Sequence, residues 1–129
     1  MRDRHESFED YLEQILMLNN KLGCVRSIDI VNSMGYSKPS ISIAMKKLSE
    51  RNLIYIDEHG YIILTTEGYQ IAKEVLEKHE ILTDFLIALG VDEEIASKDA
   101  CRLEHNLSKE AFGRIKEHYY KNIKPNLNK

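Results

Sequence analysis

The sequence has few of the features that mark secreted, membrane-bound or disulfide-linked proteins. Its 129 residues include only two cysteines, Cys24 and Cys101, which lie far apart in the chain. In a reducing compartment such a pair is expected to be a core thiol and a ligand rather than a disulfide. No apolar run approaches the roughly 20 residues that span a bilayer, and the charged start MRDRHESFED lacks the apolar stretch of a signal peptide. These absences predict a cytoplasmic protein without a membrane partner.

Enzyme motifs are missing as well. The sequence has no HExxH, no Gly-rich phosphate loop and no nucleophile elbow. A metallohydrolase built on Cys101, Glu104 and His105 would need an open coordination position and a general base in a cleft. We therefore expect neither an enzyme nor a small-molecule substrate.

Positive charge is concentrated in one segment of a chain whose net charge is −3. Residues 24–56 sum to +3, whereas residues 1–23 sum to −2 and residues 57–129 sum to −4. A basic segment flanked by acidic ones is either a DNA footprint or an ordinary solvated face.

Hydrophobic periodicity and turn residues predict a chain of helices interrupted by one hairpin. The expected helices cover about residues 7–21, 28–34, 38–51, 67–89, 92–106 and 109–120, before a frayed tail around Pro125. The expected N-caps are Ser27, Ser37, Thr66 and Ser108. The runs LIYID and YIILT flank a turn that contains Gly60 and predict a two-stranded hairpin.

This order of elements is that of a winged helix-turn-helix followed by helices. We therefore expect a mostly α fold, with an N-terminal winged helix-turn-helix and its two-stranded wing in residues 1–70. Residues 71–129 would form an all-helical domain. The boundary is expected within the long helix that begins near Glu67.

The third helix has a core side and a basic side. Ile41, Ala44, Met45 and Leu48 are expected to face the core, whereas Ile43 lies on the basic side, where it suits contact with a thymine methyl group. The N-terminal end of a recognition helix usually meets the bases, and lysine and arginine usually meet phosphates. The predicted DNA-binding residues are Arg26, Ser37, Lys38, Pro39, Ser40, Ser42, Ile43, Lys46 and Lys47. A winged helix that serves protein contacts is the open alternative.

The partner of this DNA-binding domain is expected to be a double-stranded DNA operator. A domain this small needs to form a homodimer to bind DNA with useful affinity, on half-sites about 34 Å or a multiple of that apart. The acidic Asp57 and Glu58 at the wing tip predict that the wing adds little binding energy.

Metal-capable side chains recur at helical spacing near the C-terminus. Cys101, Glu104 and His105 are spaced i, i+3 and i+4, so a helix places them on one face. Together they offer a soft, a hard and a borderline donor. The alternative is a buried cysteine beside an exposed Glu-His pair.

Asp10 and Glu13 form a second pair of this kind on the first helix, and a solvated acidic face is their alternative. His79 is a lone histidine, a type that is more often a surface residue than a ligand. Clustered carboxylates repel one another without a cation. A metal held by the first and fifth helices would thus stabilise one conformer, as allostery requires.

Several segments between about residues 8 and 120 resemble one protein family. They are FEDYLEQI, SKPSISIAMKKL, LTTEG, EKHEILTDFL, GVDEE and DACRLEH. With them the chain resembles the diphtheria toxin repressor (DtxR/MntR) family of metal-dependent regulators. The resemblance implies a homodimeric repressor of metal-uptake genes with Mn2+ or Fe2+ as corepressor. It makes the all-helical domain of residues 71–129 the metal-binding and dimerisation domain. The C-terminal SH3-like domain of the longer members is not expected.

The resemblance also implies a ligand set. Asp10, Glu13, His79, Glu104 and His105 match ligands of the manganese-responsive branch. One or two ions per subunit are compatible with this set, and a second ion would use Glu13 and His79 and share Glu104.

Cys101 departs from the manganese branch, where a Glu stands, and matches the iron-responsive branch, which has Met in place of Asp10. Thr83 and Ser97 stand where the iron branch has a carboxylate and a His at an ancillary site, so that site is not expected. Hard carboxylates suit Mn(II), whereas a thiolate shifts the preference towards Fe(II), Co(II) or Zn(II).

A different class of regulator is the competing hypothesis. It is a winged-helix transcription factor that senses a small organic ligand, with the metal-capable cluster incidental. It would need an apolar pocket between helices.

Overall fold

The computed structural model describes residues 4–127, and side chains from residue 8 onwards. Its helices are α1 (Arg4–Leu22), α2 (Ser27–Met34), α3 (Lys38–Glu50), α4 (Thr66–Ala88), α5 (Glu93–Leu103), α6 (Lys109–His118), a π-helical turn (Tyr119–Ile123) and α7 (Lys124–Leu127). The strands are β1 (Ile54–Ile56) and β2 (Ile62–Leu64). The predicted mostly α class with one hairpin is confirmed.

Two compact units divide the chain between Val75 and Leu76, inside α4. The predicted domain boundary after residue 70 falls in the same helix and stays a prediction. No helix in the described part of the chain has both the length and the apolar character needed to cross a bilayer.

The first unit is built from three helices and the hairpin. α2 packs on α3, α1 packs on α2 and β2, and α3 packs on β1. The four residues of α3 expected to face the core are buried: Ile41, Ala44, Met45 and Leu48. On α1, Leu12, Ile15 and Leu16 are buried as well.

Caps fix where α2 and α3 begin. The Ser37 hydroxyl accepts the Ser40 N–H at 3.3 Å, and Pro39 lies in the first turn, where its missing N–H costs nothing. The prediction that Ser27 caps α2 is wrong, since the helix already includes it. Instead the Asp29 carboxylate accepts the Arg26 N–H at 2.8 Å.

The cap of α4 is Thr65 rather than the predicted Thr66. Its hydroxyl accepts the Gly68 N–H at 3.0 Å and donates to the Asn52 carbonyl at 2.7 Å. The Thr65 N–H also donates to the Leu53 carbonyl at 3.1 Å. These bonds tie the start of α4 to the segment before β1, which explains the one-residue difference.

The wing is an antiparallel pair in which Ile54 lies opposite Leu64 and Ile56 opposite Ile62. The Ile62 N–H donates to the Val25 carbonyl at 2.7 Å, which attaches the wing to the start of α2. The Asp57 carboxylate accepts two backbone N–H groups within the turn, both at 2.9 Å. This acidic residue therefore has a structural task in the hairpin.

The second unit has a core of Ile81, Phe112, Tyr119 and Ile123. The Ser108 hydroxyl accepts the Ala111 N–H at 3.0 Å, so Ser108 caps α6 as predicted. The Tyr119 hydroxyl donates to the Asp84 carboxylate at 2.7 Å and joins the end of this segment to α4.

Two predicted helix ends in this unit are wrong. α5 ends at Leu103 rather than near Asn106, because the Asn106 side chain and backbone N–H groups donate to the Arg102 and Leu103 carbonyls and close a turn. The expected frayed tail around Pro125 is helical. Pro125 is the second residue of α7, which directly continues the π-helical turn.

Candidate metal centre and nucleic-acid interface

Glu104 and His79 are neighbours in the second unit. His79 lies on α4, and Glu104 directly follows α5, with its N–H donating to the Ala100 carbonyl at 2.9 Å. The His79 Nδ1 atom is 3.5 Å from Glu104 Oε1. The Glu104 side chain is fully buried, and neither of its carboxylate oxygens accepts a hydrogen bond from a described residue.

A buried carboxylate in this state costs free energy unless a cation compensates it. The penalty amounts to several kcal/mol per buried ion, and buried charges are normally paired or coordinate metals. An imidazole nitrogen beside a carboxylate oxygen is a donor set that Mn(II), Fe(II) and Zn(II) accept. The residues present therefore fit a divalent transition-metal ion.

The other ring nitrogen of His79 has a separate neighbour. Ser97, on α5, places its Oγ 3.5 Å from His79 Nε2. This contact was not predictable from residue spacing, because the two residues come together only through the packing of α5 and α4.

The remaining predicted ligands have different surroundings. Cys101 and His105 are half-buried. Among the described residues of the second unit, their ligand atoms do not come within 4.8 Å of those of both His79 and Glu104. Glu104 and His105 follow Leu103, the last residue of α5, and Glu104 keeps αR backbone angles, so the expected single face for Cys101, Glu104 and His105 stays a prediction.

On α1 in the first unit, Asp10 is half-buried and Glu13 is 7% exposed. Glu13 and Glu104 are the two buried charged residues among the described side chains, and each unit contains one. Glu13 is therefore not part of a solvent-exposed acidic face.

The predicted DNA-binding residues lie on the surface of the first unit. All nine are exposed: Arg26, Ser37, Lys38, Pro39, Ser40, Ser42, Ile43, Lys46 and Lys47. Ile43 is 58% exposed, although the neighbouring Ile41 is fully buried. This exposure is compatible with contacts to DNA, and the individual roles stay predictions.

Sequence reasoning missed the neighbour of Arg26. The guanidinium carbon of Arg26 lies 4.6 Å from the centre of the Tyr61 ring, at the edge of the wing. This cation–π contact holds the Arg26 side chain against the wing.

Comparison with known families shows what kind of protein contains this buried carboxylate site and this exposed basic helix. Residues 4–64 match the family model "Iron dependent repressor, N-terminal DNA binding domain". Residues 65–122 match "Iron dependent repressor, metal binding and dimerisation domain". The chain belongs to the iron-dependent repressor family. This is the diphtheria toxin repressor family that its motifs resemble, and its members are repressors rather than enzymes.

Curated relatives support the assignment to iron-dependent repressors. The chain is 37% identical over 109 residues to the transcriptional regulator MntR of Escherichia coli O157:H7, covering 84% of this chain and 70% of that one. It is 35% identical to the HTH-type transcriptional regulator MntR of Bacillus subtilis strain 168, covering 84% and 77%.

Solved structures of iron-dependent repressors share the fold. The manganese regulator SloR matches with a TM-score of 0.77 and 27% identity, covering 88% of this chain and 53% of that one. A manganese-dependent transcriptional repressor in complex with manganese matches with a TM-score of 0.75 and 28% identity, covering 84% and 50%. The chain thus spans about half the length of these solved chains. The winged helix-turn-helix and the helical domain are confirmed by these likenesses.

Proposed function

We propose that this protein is a metal-dependent DNA-binding transcriptional repressor of manganese or iron homeostasis genes. The observation that carries the proposal is the fully buried Glu104 carboxylate beside His79, in a chain with a separate basic helix-turn-helix surface. Family membership and the manganese named for its relatives point the same way.

The corepressor is Mn2+ or Fe2+, with one or two ions per subunit. Its ligands come from Asp10, Glu13, His79, Cys101, Glu104 and His105. Burial of one carboxylate in each unit supports a metal that bridges the units, because a cation that binds both would offset the cost of burying both charges. The bound ion would favour one arrangement of the units and so set the spacing of the recognition helices.

The partner is a double-stranded operator read by a homodimer in the cytoplasm. The exposed Ile43 and the N-terminal turn of α3 would enter the major groove, while Lys46, Lys47 and Arg26 would contact phosphates. Exposed apolar side chains of the second unit, among them Leu89 and Ile95, support a dimer contact there.

Anaerobic DNA binding tests the proposal. Chelator-treated protein would be titrated with Mn(II) and separately with Fe(II) on operator-length DNA taken from a selection library. We expect affinity to rise about 5- to 150-fold, the usual range of allosteric coupling. Glu104→Ala should abolish the rise, and Glu93→Ala, an exposed acid in the first turn of α5, should keep it.

Two outcomes would contradict this account. A normal metal response of Glu104→Ala would refute the metal site. DNA binding that is insensitive to chelator and metal would favour the sensor of a small organic ligand.

A further inference from the structure

We propose that Tyr61 of the wing is a positioning residue that holds the Arg26 guanidinium in place to contact a DNA phosphate. The aromatic ring would thereby make the base of the wing part of the DNA-binding surface. The inference deepens the proposed function and rests on it for DNA binding by the first unit, but it does not depend on the metal.

Arg26 and Tyr61 both emerge from one buried junction between the wing and the start of α2. The Ile62 N–H donates to the Val25 carbonyl at 2.7 Å, and both of these residues are buried. Arg26 directly follows Val25 in the sequence, and Tyr61 directly precedes Ile62. The backbone thus brings Arg26 and Tyr61 together before their side chains make contact.

Further hydrogen bonds fix the backbone of each residue. The Arg26 N–H donates to the Asp29 carboxylate at 2.8 Å. The Tyr61 N–H donates to the Asp57 carboxylate at 2.9 Å, and the Tyr61 carbonyl accepts the Asp57 N–H at 3.0 Å. The 4.6 Å between the guanidinium carbon and the ring centre lies within the range of a cation–π contact.

The contact leaves the guanidinium able to bind an anion. Arg26 is exposed, and among the residues that the structure describes no carboxylate forms an ion pair with its side chain. A ring face accepts only weak hydrogen bonds, so most of the five guanidinium N–H donors stay available. Phosphate oxygens accept such donors in strong, charge-assisted hydrogen bonds.

Positioning by a ring favours binding because a long side chain loses rotamer freedom when it is immobilised on a ligand. A guanidinium that already lies over Tyr61 loses less of this freedom. The nearby Asp57 carboxylate is engaged by two backbone N–H groups of the turn. The wing would therefore contribute through its base, while its acidic tip adds little, as the sequence predicts.

Binding to random-sequence duplex DNA at low salt, with and without Mn(II), tests the role of the ring, since phosphate contacts do not depend on base sequence. Tyr61→Leu should weaken binding about two- to fivefold, the effect of an exposed cation–π contact. Tyr61→Phe keeps the ring and should keep the affinity, as should Tyr69→Leu, which removes an exposed tyrosine of α4. Equal weakening by Tyr61→Phe and Tyr61→Leu would overturn the proposal.

A double-mutant cycle with Arg26→Ala separates positioning from a merely structural role. Arg26→Ala should weaken binding and lower the slope of log affinity against log salt by about 0.9, the value for one phosphate contact. Tyr61→Leu should have no further effect in the Arg26→Ala background. Tyr61→Thr, which removes the ring but retains high strand propensity, repeats the cycle with the hairpin intact.

Two results of the cycle would overturn the proposal. Equal effects of Tyr61→Leu with and without Arg26 would show that the tyrosine acts independently of the arginine. An unchanged salt slope in Arg26→Ala would show that the arginine contacts no phosphate.

The failure of this inference is distinguishable from the failure of the proposed function. If the wild type binds DNA equally well with and without metal, the proposed function fails, and the cycle still decides the role of Tyr61. If metal controls DNA binding but the cycle shows no coupling, the inference about Tyr61 alone fails. A wild type that binds no DNA under either condition would overturn both.

Discussion

Glu104 is the individual side chain on which most of the account depends. Its carboxylate is removed from solvent, lacks a hydrogen bond among the described residues and faces an imidazole nitrogen. Such a group lowers the stability of the metal-free protein and makes a bound cation correspondingly favourable.

Mn(II) should therefore stabilise the protein through Glu104. At a free concentration of about 100 times the dissociation constant, the free energy of unfolding should rise by about 2.7 kcal/mol. Glu104→Gln should lose this increment and the exposed control Glu93→Gln should keep it, as measured by urea unfolding with and without the ion. Equal stabilisation of both variants would show that Glu104 is not a ligand.

Tyr119 makes stability depend on alkaline pH. Its burial raises its pKa above the ordinary 10.0, and the hydrogen bond to Asp84 and the charge of that carboxylate raise it further. A raised pKa in the folded state means that the contribution is complete below about pH 10 and is lost as the pH rises above it.

Tyr119→Phe should cost about 1 kcal/mol near neutral pH, the typical net value of a hydrogen bond. The same variant should reduce the decline in stability above pH 10. Unfolding free energies measured across this pH range check both effects, with Tyr69→Phe, an exposed tyrosine, as control. A decline as steep in Tyr119→Phe as in the wild type would contradict the assignment.

The two faces of α3 have different roles: one packs against the core, and the other is the proposed DNA-binding face. Ile41 is fully buried, whereas Ile43, two residues later, is 58% exposed. Ile41→Ala should cost about 2–5 kcal/mol of stability. Ile43→Ala should change stability by less than about 0.5 kcal/mol and yet weaken DNA binding. Unfolding and DNA-binding measurements on both variants test this division, and unaltered DNA affinity of Ile43→Ala would remove it from the interface.

The start of α4 depends on Gly68. A Cβ at this position would collide with the backbone carbonyl of Leu53, whereas a Cβ at Gly113 in α6 would meet nothing nearby. Gly68→Ala should therefore destabilise by about 1–3 kcal/mol. Gly113→Ala should stabilise by up to about 1 kcal/mol, the helix propensity difference. Thermal unfolding compares the two, and a stabilised Gly68→Ala would show that the contact is not restrictive.

Local signals in the sequence predicted the elements better than their ends. The cap at Ser37 and the buried side of α3 follow from spacing alone. The cap at Thr65 depends on bonds to Asn52 and Leu53, and the end of α5 depends on the turn closed by Asn106. Such tertiary and turn contacts have no periodic signature.

The candidate site was predictable to a similar degree. Glu104 emerged from its spacing with Cys101 and His105, whereas His79 looked ordinary by itself and entered only through the family resemblance. The contacts of His79 with Glu104 and Ser97 require α4 and α5 to pack side by side. Residue spacing along one helix does not predict how two helices pack.

At the scale of the whole molecule, we propose that metal binding and DNA binding are coupled. Buried carboxylates occur in both units, and the basic surface of α3 belongs to the first. If the metal ion favours the arrangement that binds DNA, then DNA must favour the ion by the same factor, because coupling free energies are reciprocal.

The affinity for Mn(II), measured by anaerobic titration with and without saturating operator DNA, tests this coupling most directly. We predict tighter Mn(II) binding in the presence of DNA, by the same factor by which Mn(II) tightens DNA binding. Equal Mn(II) affinity with and without DNA would contradict the account, since the metal would then bind without controlling the repressor.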